Sequence, residues 1–336
     1  MKKTAHVDSA RAHLPPVETK GTRTPETLHV RLAGPRGFCA GVVRAIKMVE
    51  DALSVHGAPV YVRHEIVHNA HVVNRLRAMG AVFVDDIKDA PEDRPLILSA
   101  HGAPAAVYSE IGRRGMTSFD ATCPLVLKVH NETRRAVTEG RHVILVGHAG
   151  HPEVIGTMGQ TPEGSVSLVE TVEAAQRVTP PAGKALSYVT QTTLSVDETS
   201  EIVATLTKRF PEIRGPRRDD ICYATSNRQE AVKQVAPGCD AFLVVGDPTS
   251  SNSERLVEAA HKAGARIALL VSDPLGFDLD LVREANIIGI SAGASAPETL
   301  VEQLLERLAG AGRSLTLETI DVVVEDVTFK QPNIAV

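Results

Sequence analysis

Short apolar runs alternate with stretches of helical period along this chain, and most of the runs end in a polar turn. The first, at 28–32, enters the turn Ala33-Gly-Pro-Arg-Gly-Phe-Cys39-Ala-Gly-Val. Beyond it Val42, Ile46, Val49 and Leu53 share one face, the spacing of an amphipathic helix. A strand at 59–63 leads to the turn His64-Glu-Ile-Val-His68-Asn69, a helix through Val72, Val73 and Leu76, and a strand at 81–84. A further strand at 95–99 ends at His101-Gly-Ala-Pro104, where Pro104 suits the first turn of the next helix. Strands alternating with helices predict βαβ units and parallel sheet.

The pattern then restarts twice. Ser118-Phe-Asp-Ala-Thr-Cys123 reads as a strand opening a helix over 125–139. Strands at 142–146, 166–169 and 185–189 follow; the first ends in Gly147-His-Ala-Gly-His151-Pro-Glu153 and the last in Thr190-Gln-Thr192-Thr193, before a helix at 197–209. Asp219-Asp-Ile-Cys222 leads into a helix at 227–235. Strands at 241–245, 267–271 and 287–290 follow, the first ending in Ser250-Ser251-Asn252 and the last in Ser291-Ala-Gly-Ala-Ser295, with helices at 256–262 and 298–308. Residues 314–336 read as a strand plus an arm.

The spacing turns this rhythm into a repeat. His68, His151 and Ser250 lie 29, 28 and 28 positions after Cys39, Cys123 and Cys222, and His101, Thr192 and Ser295 lie 62, 69 and 73 positions after them. Similarity at a near-fixed period marks repeated structural units. The expected fold is α/β, with three lobes of parallel sheet related by pseudo-threefold symmetry in a trefoil-like ring. The repeats are counted at 28–117, 118–216 and 217–311, with a flexible N-terminal extension at 1–27 and a C-terminal tail at 312–336. Ligands of open parallel sheets bind beyond the carboxyl ends of the strands. Three such sheets facing one another would therefore bring nine turns to one centre.

Composition narrows the chemistry. A chain of 336 residues is too long for one small core and suggests two or three domains. A net charge of −5 argues against nucleic-acid binding through a broad basic surface, and the absence of Trp, with 3% aromatics, argues against base-stacking platforms. No apolar run is long enough to span a membrane, and the polar 1–25 segment has no secretory hydrophobic region. Four cysteines make no secreted disulfide framework, so a reducing, cytoplasmic setting with free or metal-bound thiols is expected.

Cys39, Cys123 and Cys222 each stand at a strand-to-helix junction, where helix N–H groups and the positive end of the dipole favour a thiolate. Three converging thiolates suit one soft metal centre, and a set of three protein ligands leaves a coordination position open. Spacing alone leaves an iron–sulfur cluster and a zinc ion as alternatives. The remaining turns read as an anion site for a phosphate or diphosphate, with His68, His101, His151, Ser250, Ser251, Asn252 and Ser295 as donors beside helix starts. Glu153, the lone carboxylate of these turns, sits two residues from His151, and the two could move a proton.

The motifs Pro35-Arg-Gly-Phe-Cys-Ala-Gly41, His64-Glu-Ile-Val-His-Asn69, Ser99-Ala-His-Gly102, Phe119-Asp-Ala-Thr-Cys-Pro-Leu125, Gly147-His-Ala-Gly-His-Pro-Glu153, Thr190-Gln-Thr-Thr-Leu-Ser195, Asp220-Ile-Cys-Tyr-Ala-Thr225, Ser250-Ser-Asn-Ser253 and Ala292-Gly-Ala-Ser-Ala-Pro297 together resemble the 4-hydroxy-3-methylbut-2-enyl diphosphate reductase (IspH/LytB) family. Nine motifs in order, from about residue 30 to 308, make the resemblance specific. It implies the last step of the non-mevalonate isoprenoid pathway, in which an allylic hydroxymethyl diphosphate loses its hydroxyl to give isopentenyl and dimethylallyl diphosphates. It further implies a 4Fe–4S cluster on Cys39, Cys123 and Cys222, with one iron free of protein and readily lost to leave 3Fe–4S. Glu153 would supply protons, Thr192 would hydrogen-bond the substrate hydroxyl, and His151 would stand beside the diphosphate. His68, His101, Ser250, Asn252 and Ser295 would hold that diphosphate, with Ser251 a further contact. Electrons would come from a ferredoxin or flavodoxin with its reductase. An iron–sulfur redox sensor and a zinc hydrolase of a phosphorylated metabolite are the competing readings.

Overall fold

The computed structural model describes residues 27–332 and residue 334. The N-terminal extension expected at 1–27 lies, apart from Thr27, outside the described residues. The first part of the chain runs β1 (Thr27–Gly34), α1 (Ala40–His56), β2 (Val60–Arg63), α2 (Ala70–Ala78), β3 (Ala81–Val84), β4 (Leu96–Leu98), α3 (Ala105–Arg114) and β5 (Ser118–Asp120). The second runs α4 (Pro124–Thr138), β6 (His142–Val146), α5 (Pro152–Met158), β7 (Val166–Val169), α6 (Val172–Arg177), β8 (Leu186–Thr190) and α7 (Val196–Arg209). The third runs α8 (Tyr223–Val235), β9 (Ala241–Val245), α9 (Ser251–Lys262), β10 (Ile267–Val271), β11 (Ile287–Ala292), α10 (Glu298–Ala309) and β12 (Ser314–Asp321).

These strands form three sheets, ordered β10-β9-β11-β1-β12, β3-β2-β4-β5 and β7-β6-β8, and the pairs in them are parallel. The inner strands β6 (His-Val-Ile-Leu-Val) and β9 (Ala-Phe-Leu-Val-Val) are buried at every position. Helices on both faces of a parallel sheet require such unbroken apolar runs. Separate apolar cores lie under the separate sheets: Val49, Val62, Ile97 and Phe119 in the first lobe, Ile144, Val169, Ile202 and Leu206 in the second, and Leu243, Ile288, Ile290 and Leu304 in the third.

The sheet borders depart from the repeat count. β1 pairs with β11 and β12 in the third lobe's sheet, and β5 pairs with β4 in the first lobe's. The tail expected at 312–336 contributes β12 as the edge strand beside β1. Hydrophobic pattern identifies a strand but not its partner, so the repeat count assigns 28–34 to the first lobe and 118–120 to the second, whereas the family resemblance implies a first strand in the third lobe, where β1 lies. Arg214 makes an isolated parallel bridge to Ser187, next to β8. Each cysteine is therefore preceded by a segment that pairs with one lobe's sheet and followed by a helix of the next. The cysteines sit where the chain passes from lobe to lobe, which is what carries all three to the middle of the ring.

Candidate active site

Each cysteine is the residue before the first turn of its helix: Cys39 for α1, Cys123 for α4 and Cys222 for α8. A rigid helix start fixes the Cα–Cβ direction, and glycine allows the close approach. A Cβ at Gly41 would lie 2.8 Å from the Cys123 sulfur and 3.8 Å from that of Cys39, so the two sulfurs are no farther apart than those distances laid end to end. Cys222 Sγ accepts the Thr225 N–H at 3.4 Å and lies 3.2 Å from Thr225 Oγ1.

The same cavity, about 700 Å³ of empty space, gathers the polar turns. It is lined by Cys39, Cys123, Cys222, His68, His101, His151, Glu153, Thr192, Ser250, Ser251, Asn252 and Ser295. All twelve residues singled out in the sequence thus face one space. Val42, Val67, Ala100, Leu125 and Val126 supply an apolar wall. The fourth cysteine, Cys239, is buried elsewhere and donates to Val235 O.

Glu153 and Thr192 form a closed pair. The Thr192 N–H donates to Glu153 Oε1 at 2.7 Å, and the Thr192 hydroxyl donates to Oε2 at 2.9 Å. The Glu153 N–H donates to His151 Nδ1 at 3.2 Å, which makes His151 the cap of α5. Burial raises the Glu153 pKa to about 7 against the two Thr192 hydrogen bonds, which lower it. At neutral pH the carboxyl is thus divided between its acid and its anion.

Three imidazoles meet in the same cavity. His68 and His101 stack with ring centroids 4.1 Å apart, and His151 stands edge-on to both at 5.4 and 6.1 Å. Both ring nitrogens of His68 are buried and unpartnered among the described residues; Glu65, at 3.7 Å, is too far for a hydrogen bond. Burial, then repulsion from neighbouring imidazoles, pushes His151 down to about 3 and His101 well below its ordinary value. His68 is also lowered by burial, opposed by Glu65 and Asp247. Burial thus disfavours the charged form of all three rings; His101 Nδ1 lies 3.4 Å from Ser99 Oγ and His151 Nδ1 accepts the Glu153 N–H, which leaves His68 as the ring with both nitrogens unpartnered among the described residues.

The hydroxyl side is cross-linked between lobes. Ser295 Oγ donates to His68 O at 2.8 Å and lies 3.5 Å from Ser250 Oγ. The Ala294 N–H donates to Asn252 Oδ1 at 2.9 Å, and Asn252 Nδ2 donates to Thr225 Oγ1 at 3.3 Å. Ser251 Oγ lies 3.2 Å from Thr193 Oγ1. Ser250 caps α9 through the Ser253 N–H.

The thiols differ from expectation in one respect. Burial, reinforced by the other two thiols, pushes Cys123 up to about 12, over the lowering N–H groups of Leu125 and Val126. Cys222 is pushed up to about 11 for the same first reason. Desolvation thus outweighs the helix starts, and both thiols stay protonated until a cation replaces the proton. Among the described residues, no three His, Cys, Asp or Glu side chains are set to hold a single metal ion. One zinc ion with Zn–S bonds of about 2.3 Å would need its sulfurs roughly 3.8 Å apart. A cluster of several irons carries its ligands on separate metals and spans a wider triangle. The donor set of three soft thiols on one cavity wall fits such a cluster.

Sequence reasoning missed Thr225 as a partner of a cysteine, Thr193 as a link to Ser251, and Tyr223, whose hydroxyl accepts the Ala40 N–H at 3.2 Å. Thr225 was readable as the third residue after Cys222. The other two contacts join different lobes and leave no local signal.

Residues 30–309 match the family described as LytB protein. The chain belongs to the LytB family. Among LytB relatives, the 4-hydroxy-3-methylbut-2-enyl diphosphate reductase of Hyphomonas neptunium is 56% identical over 93% of this chain and 98% of its own length. That of Gluconobacter oxydans is 53% identical over 94% and 95%. Of solved LytB-type structures, the E-1-hydroxy-2-methyl-but-2-enyl-4-diphosphate reductase from Plasmodium falciparum superposes with a TM-score of 0.86 at 35% identity, covering 92% of this chain and 96% of that one. A second, titled (E)-4-hydroxy-3-methyl-but-2-enyl diphosphate reductase, gives a TM-score of 0.61 at 32% identity over 84% and 99%.

Proposed function

We propose that this chain is the reductase that converts (E)-4-hydroxy-3-methylbut-2-enyl diphosphate to isopentenyl and dimethylallyl diphosphates, closing the non-mevalonate isoprenoid pathway. The observation that carries this reading is the single cavity lined by three thiols, the Glu153–Thr192 pair and the histidine and hydroxyl cluster. A sensor has no use for the anion cradle, and three thiols in one cavity are soft donors of the kind an iron–sulfur centre takes. The membership of the LytB family and the reductase names of its relatives support the same reading.

Cys39, Cys123 and Cys222 hold the iron–sulfur centre, a 4Fe–4S cluster with one iron free of protein. When bound, that centre supplies electrons and a Lewis-acid position for the alcohol oxygen. The reaction takes up two electrons and two protons, breaks the allylic C–O bond and releases water. Hydroxide is a poor leaving group, so the proton must arrive as the bond breaks. Glu153 is the group placed to hold it, since its raised pKa keeps the acid form populated at neutral pH. Thr192 fixes both oxygens of that carboxyl and presents its own hydroxyl to the substrate alcohol. His68, His101, His151, Ser250, Ser251, Asn252 and Ser295 receive the diphosphate. Its negative charge would offset the repulsion between the imidazoles and let them take up protons.

A ferredoxin or flavodoxin with its reductase is the proposed electron source, and the cytoplasm the proposed site of action. No described helix is long and apolar enough to cross a membrane. Anaerobic purification tests the proposal. The expected result is a brown protein that oxidises reduced viologen only when the allylic diphosphate is added. A colourless zinc protein, or a brown one without substrate-dependent turnover, would overturn it.

A further inference from the structure

One fully buried cation lies outside the machinery described so far. Arg228, on α8 two turns beyond Cys222, is 0% exposed. All five of its N–H groups are used. Nε and Nη2 donate to Gly37 O at 3.1 and 2.7 Å, Nη1 donates to Ala224 O at 3.0 Å, and Nη1 and Nη2 reach Glu325 Oε1 and Oε2 at 2.9 and 3.3 Å. Asn227 adds a hydrogen bond to Glu325 Oε1 at 3.1 Å. Gly37 is two residues before Cys39, and Ala224 two residues after Cys222. The guanidinium therefore grips the approach to one cysteine and the first turn behind another, with its counter-charge on the arm that follows β12.

The same arm is tied down further along. Arg44, on the Cys39 helix, donates to Lys330 O at 3.2 Å and to Thr122 O, the residue before Cys123, at 3.2 Å. His56 Nε2 lies 3.1 Å from Ile334 O, and Ile334 is buried in the first lobe's core. Residues 322–332 thus run as a strap from the third lobe toward the first, past the cysteine turns, and Ile334 anchors it there.

We infer that Arg228 and Glu325 are positioning residues for the cysteine end of the site: together they lock the Cys39 turn against the Cys222 helix, and the balance of their charges sets the reduction potential of the centre the thiolates hold. This inference rests on the iron–sulfur reading above. The Tyr223 hydroxyl accepts the Ala40 N–H at 3.2 Å, so the Cys222 helix is tied to the Cys39 helix start as well as, through Arg228, to Gly37. Net charge and hydrogen bonding around a cluster are what set its potential. Losing Glu325 leaves an uncompensated buried cation, which favours the reduced, more negative centre. Losing Arg228 leaves an uncompensated carboxylate, which favours the oxidised one.

The experiment compares anaerobically reconstituted wild type, Glu325→Gln, Arg228→Gln and Arg228→Lys. It measures midpoint potential by mediated titration and iron release to a chelator. Glu325→Gln is expected to shift the potential to more positive values and Arg228→Gln to more negative ones, opposite signs that a purely structural tie would not produce. Arg228→Lys keeps the charge but loses the fork, so its potential stays near wild type. Iron release should quicken in the variants by about 10-fold or more, the usual scale when an outer partner of a metal site is lost. If Arg228→Gln does not fold, the sign in Glu325→Gln decides alone. An unchanged or negative shift there, or release at the wild-type rate, overturns the inference. Wild type that binds no cluster would instead overturn the proposed function.

Discussion

Glu153→Gln is the substitution whose outcome can be worked out furthest. The amide keeps the shape of the carboxyl. Its oxygen can still accept the Thr192 N–H that now bonds Oε1 at 2.7 Å, and its NH₂ can donate to the Thr192 hydroxyl now 2.9 Å from Oε2. Two hydrogen bonds survive, each with a net worth of about 1 kcal/mol, so the site should keep its geometry and its affinity for substrate. What disappears is the transferable proton. Positioned general acids contribute about 10²- to 10⁴-fold, equivalent to roughly 3–5 kcal/mol on the barrier, and turnover should fall by that factor. The pH dependence is a second readout. Activity that needs the acid form falls as pH rises through about 7, and this alkaline limb should be missing from the variant.

Linkage gives an independent check on the metal-free chain. The folded pKa is raised, so native protein binds the proton between about 4.5 and about 7 where unfolded chain has released it. That stability is complete below about 4.5 and is lost as pH rises through about 7. The ionised carboxylate then costs the fold on the order of 3 kcal/mol. Gln carries no such cost, so the variant should melt above wild type at pH 8. Steady-state viologen oxidation and substrate titration, with thermal melts at two pH values, measure all of this. A variant with wild-type turnover and an intact alkaline limb would refute the assignment of Glu153 as proton donor.

Cys123→Ser should empty or weaken the cluster, read as lost visible absorption and a reduced iron and sulfide count; a full complement of both would refute its role as a ligand. Gly41→Ala puts a methyl 2.8 Å from the Cys123 sulfur, so it should lower iron content while leaving the metal-free fold intact, as circular dichroism and iron analysis would report. Inorganic diphosphate should bind with net proton uptake near pH 6, because the depressed His101 and His151 gain a counter-anion; calorimetry in buffers of different ionisation enthalpy measures the proton number, and a value of zero would count against those rings. Without that anion the same histidines make the fold acid-sensitive. The His151 contribution is present above about pH 6.5 and is lost as pH falls toward about 3, and that of His101 is lost in the same direction; an acid titration of the melting temperature would follow both.

Much of this architecture was legible because each strand, turn and helix carries its own local pattern. Cys39, Cys123 and Cys222 recur before apolar faces of helical period, and the polar turns recur at matching distances behind them. Helix starts were read late: α8 begins at Tyr223 and α9 at Ser251, where the expected helices began at 227 and 256. The first turns there are polar because they face the cavity, so hydrophobic period is silent over them. Partner choice is also beyond local pattern, and the first strand's place in the third lobe follows only from the family resemblance. Nothing local in residues 28–32 states that β1 lies between β11 and β12, and nothing in Arg228 announces Glu325, 97 positions away. Cys123 and Cys222 titrate higher than their positions suggest because the favourable field of a helix start can be read from sequence, whereas the depth of burial opposing it cannot.

The place of β1 has a consequence for biosynthesis. It is the first strand of the described chain, yet its neighbours on both sides, β11 and β12, are synthesised long after it. While the first two lobes emerge and can fold, residues 27–34 have no partner, and an apolar strand stays open to chaperones and to mispairing. Contacts of such long separation also slow folding. Insertion of iron into a half-made chain is therefore futile: the third lobe must close over its own beginning before all three sulfurs face one another.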